Sequence, residues 1–252
     1  MLEQIDTMEL IHESRILPIE GGYNFRDLGG IVTKDETIIK PNYLIRTDEL
    51  SRLNSNDLGL LADLNVKSVV DFRTSEERKT SVDKVPITCE NEFHLDIMAA
   101  NMNAFMEKMQ SDDKDYKKMM QQFYTDLVTE ENAVKEFQEF FSILQNEENC
   151  SVIYHCTAGK DRTGIATALI LESLNVDWNT IESDYLLSNK FLAKKYAAYI
   201  EQNPTLAEIF LVQAEYLQDA FEQIRKTYYS VEDYLSDKLK VDIDLMKKIY
   251  TT

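Results

Sequence analysis

Residues 149–176, NCSVIYHCTAGKDRTGIATALILESLNV, constrain the fold more than any other stretch of this chain. NCSVIYH (149–155) is a short β-branched run bounded by a polar cluster, the pattern of a central parallel strand. GIATALILESLNV (164–176) reads as a helix ending near Asn175. Only a glycine-containing loop separates the two, so the chain passes from buried strand through a tight turn directly into helix. That unit belongs to α/β folds. The scarcity of turn formers agrees with it: seven glycines and four prolines in 252 residues are too few for an all-β sandwich.

The remaining chain extends the pattern. GGYNFRDLGG (21–30) and IVTKDETIIKPNYLIR (31–46) predict short strands. SRLNSNDLGLLADLNV (51–66) predicts a helix capped by Ser51 or Asn54, with Leu58, Leu60, Leu61 and Leu64 along one face. KSVVDFR (67–73) predicts a short buried strand. Residues 99–147 are helical in pattern, with SDDKD (111–115) as a break, and 177–252 are helical, punctuated at Pro204. With no internal repeat, the expectation is a peripheral segment over 1–20 and one domain over 21–252, carrying a helical insertion and a helical C-terminal part.

The formal net charge of −18 disfavours nucleic acid or an anionic membrane as a broad-surface partner. It leaves room for a small anion held in a locally positive pocket. Cys89, Cys150 and Cys156 include no C-x-x-C pair, which argues against a disulfide framework or a zinc knuckle. MLEQIDTMELIHESR lacks the basic and apolar segments of a signal peptide, and no apolar run approaches bilayer length. The expectation is a soluble chain without stable membrane insertion, cytoplasmic by default and secreted if an export signal has been removed.

In the loop itself, the strand delivers Cys156 to its carboxyl end and the helix begins near Arg162. Thr157, Ala158, Gly159, Lys160 and Asp161 can curl so that successive N–H groups point inward above a helix N-terminus, a ready anion cradle. Gly159 and Gly164 permit tight turns and close approach. Cys156 at the base would be favoured as a thiolate, and Arg162 can return to grip two oxygens of a phosphate. Thr163 can hydrogen-bond the sulfur as it leaves a phosphocysteine. The expected chemistry is phosphoryl transfer to sulfur followed by hydrolysis.

HCTAGKDRTG (155–164) resembles the signature loop of the cysteine-dependent protein tyrosine phosphatase superfamily. Together with GGYNFRDLGG, VVDFRTSEER (69–78) and DYLLSN (184–189), in matching order, it resembles the atypical bacterial tyrosine/lipid phosphatases; SVEDYLSDKL (230–239) fits less distinctively. The resemblance implies a phosphatase-type α/β fold, with a parallel-containing sheet flanked by helices and a helical lid. It implies Cys156 as nucleophile, Arg162 as clamp, 157–161 as cradle amides, Thr163 as the second-step hydroxyl, and no need for a metal or other cofactor. Phosphorylated protein or phosphoinositide would be the substrate and inorganic phosphate the product.

The proton donor has three candidates. A W-P-D aspartate is absent, since Trp178, the one tryptophan, precedes Asn179 and Thr180. Asp161 is the leading acid, with Asp71 and Asp96 as competitors. Lys160 either meets a second phosphate or attracts anions generally. Asn24, Arg26 and Asp27 are expected to brace the loop, with Arg46 and Asp48 in a similar part, and His155 to fix the cysteine's backbone. His12 and His94 read as structural, and the Met98–Met120 stretch and the apolar stripe Phe210, Leu211, Tyr216, Leu217 and Phe221 as packing. Two rival readings are a catalytically silent phospho-ligand module and rhodanese-like or arsenate chemistry on sulfur.

Overall fold

The computed structural model describes residues 14–98 and 115–252. Five strands form one sheet: β1 (Arg26–Asp27), β2 (Leu44–Thr47), β3 (Ser68–Asp71), β4 (Asn91–His94) and β5 (Val152–His155), in the order β1-β2-β5-β3-β4. β2, β5, β3 and β4 are parallel and β1 is antiparallel at the edge. β5 is therefore central. Its register sets Thr47, His155 and Asp71 side by side, so three strands end at one level. Loops that follow carboxyl ends aligned in this way share one crevice.

Alternation along the strands builds two cores. Leu44, Val70, Val152 and Tyr154 face the larger one, while Ile45, Val69 and Ile153 face the smaller. The larger core is covered by helices α3 (Tyr116–Thr129), α4 (Glu131–Leu144), α5 (Arg162–Ser173), α7 (Ala214–Tyr228) and α8 (Ile243–Tyr250). The smaller lies beneath α1 (Ser55–Asp63), which opens in a capping box between Asn54 and Asp57. Asn54 rather than Ser51 is thus the cap, and the fully buried apolar side chain of α1 is Leu61, with Leu58, Leu60 and Leu64 half-buried. The short helix α2 (Ser75–Thr80) is capped by Thr74 and Glu77.

Helix α6 (Trp178–Gln202) crosses the rim of the sheet. Its buried stripe runs Ile181, Asp184, Tyr185, Ser188, Leu192. Asp184 accepts from Arg15 at 3.0 Å, Arg46 at 2.7 Å and Arg26 at 3.4 Å, all four side chains at 3% exposure or less. Phe191 lies 5.3 Å from the Arg26 guanidinium. Residues 14–20 are consequently not peripheral: Arg15 joins this cluster, and Leu17 and Ile19 pack on the smaller core. The attraction of Arg15 for a buried carboxylate 169 residues away has no local sequence signal.

Two further expectations change. Phe210 and Leu211 do not continue the α7 stripe; Phe210 ends a separate turn (Ala207–Phe210) and stacks on Tyr196 at 4.6 Å, while Tyr216, Leu217 and Phe221 do enter the core. The helical pattern over 115–147 resolves into α3 and α4, with the SDDKD break up to residue 114, His12 and most of Met98–Met120 outside the described residues. No helix among the described residues is long and apolar enough to cross a membrane.

Asp184→Asn should destabilise the fold by about 3–5 kcal/mol, because buried guanidiniums lose their anion. The Asp184 carboxyl is held well below the carboxylate range by Arg26, Arg15 and Arg46 despite burial pushing it up. Its stabilisation is therefore complete above the unfolded carboxyl value of about 3.9 and is lost progressively as pH falls below it. Urea unfolding of both proteins at neutral pH and across the acid range measures both effects.

Candidate active site

The loop between β5 and α5 is held from outside by its carbonyls. Asn24 Nδ2 donates to the Gly159 oxygen at 2.8 Å and the Ala158 oxygen at 3.2 Å, and Arg46 donates to Gly159 oxygen at 2.9 Å. The Glu49 N–H reaches the Thr157 oxygen at 3.4 Å. In a planar trans peptide the N–H opposes the C=O, so the amides of Ala158, Gly159 and Lys160 turn to the inside of the curve. Gly159 has φ +65, and a Cβ there would lie 2.2 Å from the Thr47 oxygen. No side chain fits this position. A Cβ on Gly164 would press on the Tyr185 ring at 3.0 Å, so glycine also lets α6 approach.

Cys156 sits beneath the amides at 2% exposure. Burial alone would raise its thiol, but the Arg162 charge and the Thr163 hydroxyl and N–H outweigh it and leave the pKa lowered. Thr163 Oγ1 is itself buried and makes no hydrogen bond among the described residues. His155 Nδ1 meets the Cys156 oxygen at 3.1 Å, and its Nε2 faces Asp83 at 3.2 Å. Asp71, Asp83 and His155 lie close enough for a metal, but Arg73 already fills the cluster, 2.8 Å from Asp71 and 2.6 Å from Asp83. Cys89 and Cys150 are free thiols raised by burial.

Arg162 is aimed by a residue that sequence reasoning missed. Its two terminal nitrogens fork onto Glu77 at 2.8 and 2.7 Å, and one also reaches the Phe72 oxygen at 3.2 Å. Its Nε–H has no acceptor among the described residues, which leaves that edge for an anion. Glu77 also accepts from the Thr157 hydroxyl and the Thr74 N–H. Burial would raise the Glu77 carboxyl, yet Arg162, Thr157 and Thr74 hold it well below the carboxylate range. Glu77 lies within VVDFRTSEER (69–78) and closes the Thr74 capping box, but neither the motif nor the cap names Arg162 as its partner.

Asp161 lies next in the loop, and Oδ1 accepts from Tyr124 Oη at 2.6 Å, which in turn accepts from Tyr185 Oη at 2.8 Å. Lys160 Nζ is 2.7 Å from both Asp161 oxygens, so its ammonium is already engaged rather than open to a second phosphate. The competing acids stand elsewhere. Asp71 is bound by Arg73 through both oxygens, and Asp96 accepts from the Ser75 N–H at 3.3 Å at the start of α2. Asp27 accepts from the Gly29 and Asn42 N–H groups and shapes the turn after β1, whereas Arg26 bonds Asn24 and the α6 cluster behind the loop. Asp48 accepts from the Tyr23 and Asn24 N–H groups.

Beside Lys160, Asp161 and Arg162 opens a cleft of about 230 Å³ walled by Ile97, Met98, Met120, Phe123, Ile209 and Phe210. An anion on the loop would therefore have an apolar neighbour on the Asp161 side.

The comparisons with known proteins agree with this geometry. Residues 17–252 match the model of a tyrosine phosphatase family. The chain is 29% identical to the triple specificity protein phosphatase PtpB of Mycobacterium tuberculosis, over 87% of this chain and 92% of that protein. It is 27% identical to a putative tyrosine-protein phosphatase of Cupriavidus necator over 90% and 85% of the two chains, and 31% identical to a tyrosine-protein phosphatase of Nostoc commune over 62% and 51%. With the match spanning nearly the whole chain and its cysteine, arginine and amide loop assembled at one rim, the chain belongs to the tyrosine phosphatase family.

Proposed function

We propose that this phosphatase hydrolyses phosphomonoesters through a phosphocysteine on Cys156, with phosphotyrosine and phosphoinositide as its substrate classes. The observation that carries the reading is the buried Cys156 thiol, lowered by Arg162 and Thr163 beneath inward-turned amides. The thiolate attacks phosphorus in line with the leaving oxygen, while the Ala158–Lys160 amides and the Nε edge of Arg162 take the equatorial oxygens. Asp161 gives its proton to the leaving oxygen and then takes one from the water that attacks the phosphocysteine. Sulfur departs as a thiolate supported by the Thr163 hydroxyl. Lys160 and Tyr124 fix the orientation of the Asp161 carboxyl.

The apolar cleft next to Asp161 favours an aryl leaving group, which supports phosphotyrosine. The description of the mycobacterial relative as triple specificity supports a range wider than one phosphoamino acid.

Two outcomes test the roles. Asp161→Asn should slow an alkyl phosphate by about 10²–10³-fold and an aryl phosphate with a good leaving group far less. Tyr124→Phe should show the same leaving-group dependence at smaller size, about 3–10-fold. Equal turnover of the alkyl phosphate by Asp161→Asn removes Asp161 from the proton role. In an ultraviolet thiolate titration, Cys156 should ionise below the ordinary thiol range, while Cys89 and Cys150 ionise above it. Because Arg162 favours the charged form, Arg162→Ala should move the low step upward; a titration with no low step in the wild type contradicts the assignment.

A further inference from the structure

Among the described residues Lys195 has no acid partner, unlike three cations that flank the loop. Arg162 is matched by Glu77, Lys160 by Asp161, and Arg52 by Asp48 at 2.8 Å and Glu49 at 2.7 Å. The Lys195 ammonium lies instead over two aromatic faces, 5.2 Å from the Tyr23 ring centre and 5.4 Å from that of Tyr196. No carboxylate among the described residues comes within 4 Å of it.

Its place on α6 directs it to the mouth. The turns carrying Asp184, Tyr185 and Ser188 pack behind the loop, and Lys195 and Tyr196 continue the same stripe beyond Leu192. Tyr196 feels the charges of both Asp161 and Cys156 and stacks on Phe210 of the apolar cleft. Lys195 feels Asp48, Arg52, Glu49 and Cys156; burial dominates and lowers its pKa. The mouth thus has an apolar border toward α3 and a cationic one toward Tyr23.

We propose that Lys195, framed by Tyr23 and Tyr196, is a second anion subsite that takes a further phosphate carried on the same small ring as the scissile one. This rests on the reading of the Cys156 loop as the phosphate site. The loop amides and Arg162 are consumed by one phosphate, so a second anion on the substrate needs its own cation. A ring-fixed dianion gains more from a point charge than a carboxylate does, and it pays less ordering entropy than a mobile acidic side chain. A free polyol bisphosphate and a lipid headgroup share that chemistry.

The test uses the full chain hydrolysing p-nitrophenyl phosphate, with inorganic phosphate, a soluble vicinal inositol bisphosphate and a short-chain lipid bearing the same headgroup as competitive inhibitors. Lys195→Gln should raise the ratio of bisphosphate Ki to inorganic phosphate Ki about tenfold, and Lys195→Arg should restore most of it. A rise with both bisphosphates assigns the site to the ring, and a rise with the lipid alone assigns it to the headgroup at a lipid. An unchanged ratio overturns the subsite while leaving the phosphatase reading intact. A larger effect of Lys195→Gln on a phosphotyrosine peptide with acidic neighbours than on the bisphosphates also overturns it, in favour of peptide recognition. Failure of wild-type turnover, or turnover that survives Cys156→Ser, overturns the parent reading and the subsite together.

Discussion

The ion cluster at Asp184 is the interaction on which the rest of the site depends. One carboxylate accepts from three buried guanidiniums, drawn from the N-terminal segment, the edge strand and the strand beside β5. Arg46 uses another nitrogen to hold Gly159, and Arg26 holds Asn24, which grips the same carbonyl and the one before it. The cluster therefore fixes which way the loop peptides face. It also places positive charge behind an anion site in a chain whose net charge is −18. That arrangement lets an acidic protein bind an anion: the favourable field is local and buried, where screening by salt and by the acidic surface is weak.

Function follows from what the loop's outer ties leave free. Carbonyls engaged by Asn24, Arg46 and Glu49 leave amides for oxygen atoms, and Glu77 orients the guanidinium without occupying its Nε edge. Two charge pairs, Arg162–Glu77 and Lys160–Asp161, keep the mouth organised from opposite sides of Cys156. Beside them, Lys195 rests on two aromatic faces, and the apolar cleft borders Asp161.

Much of this was legible in the sequence, and for a physical reason. The strand, loop and helix of 149–176 are contiguous, so periodicity and turn chemistry alone bring Cys156 to a strand end and Arg162 to a helix start. The parallel sheet followed from strand and helix alternation. What was not legible came from contacts distant in sequence. Glu77 meets Arg162 across 85 residues, and Tyr124 meets Asp161 across 37. Asp184 lay inside DYLLSN, which was recognisable as a motif, but nothing in its spacing named Arg15 as a partner. For Lys160 the sequence leaves two roles open, and its Nζ lies 2.7 Å from both oxygens of the adjacent Asp161.

If Cys156 carries the phosphoryl group during turnover, the phosphocysteine can be trapped. Acid quenching of a rapid reaction with an aryl phosphate in EDTA, followed by mass analysis of the peptide containing Cys156, reads the intermediate itself. The expected result is a phosphoryl adduct on Cys156 that forms in the burst phase and accumulates further in Asp161→Asn, whose hydrolysis step lacks its base. Full turnover with no adduct on Cys156, or phosphate release that persists in Cys156→Ser, would contradict it.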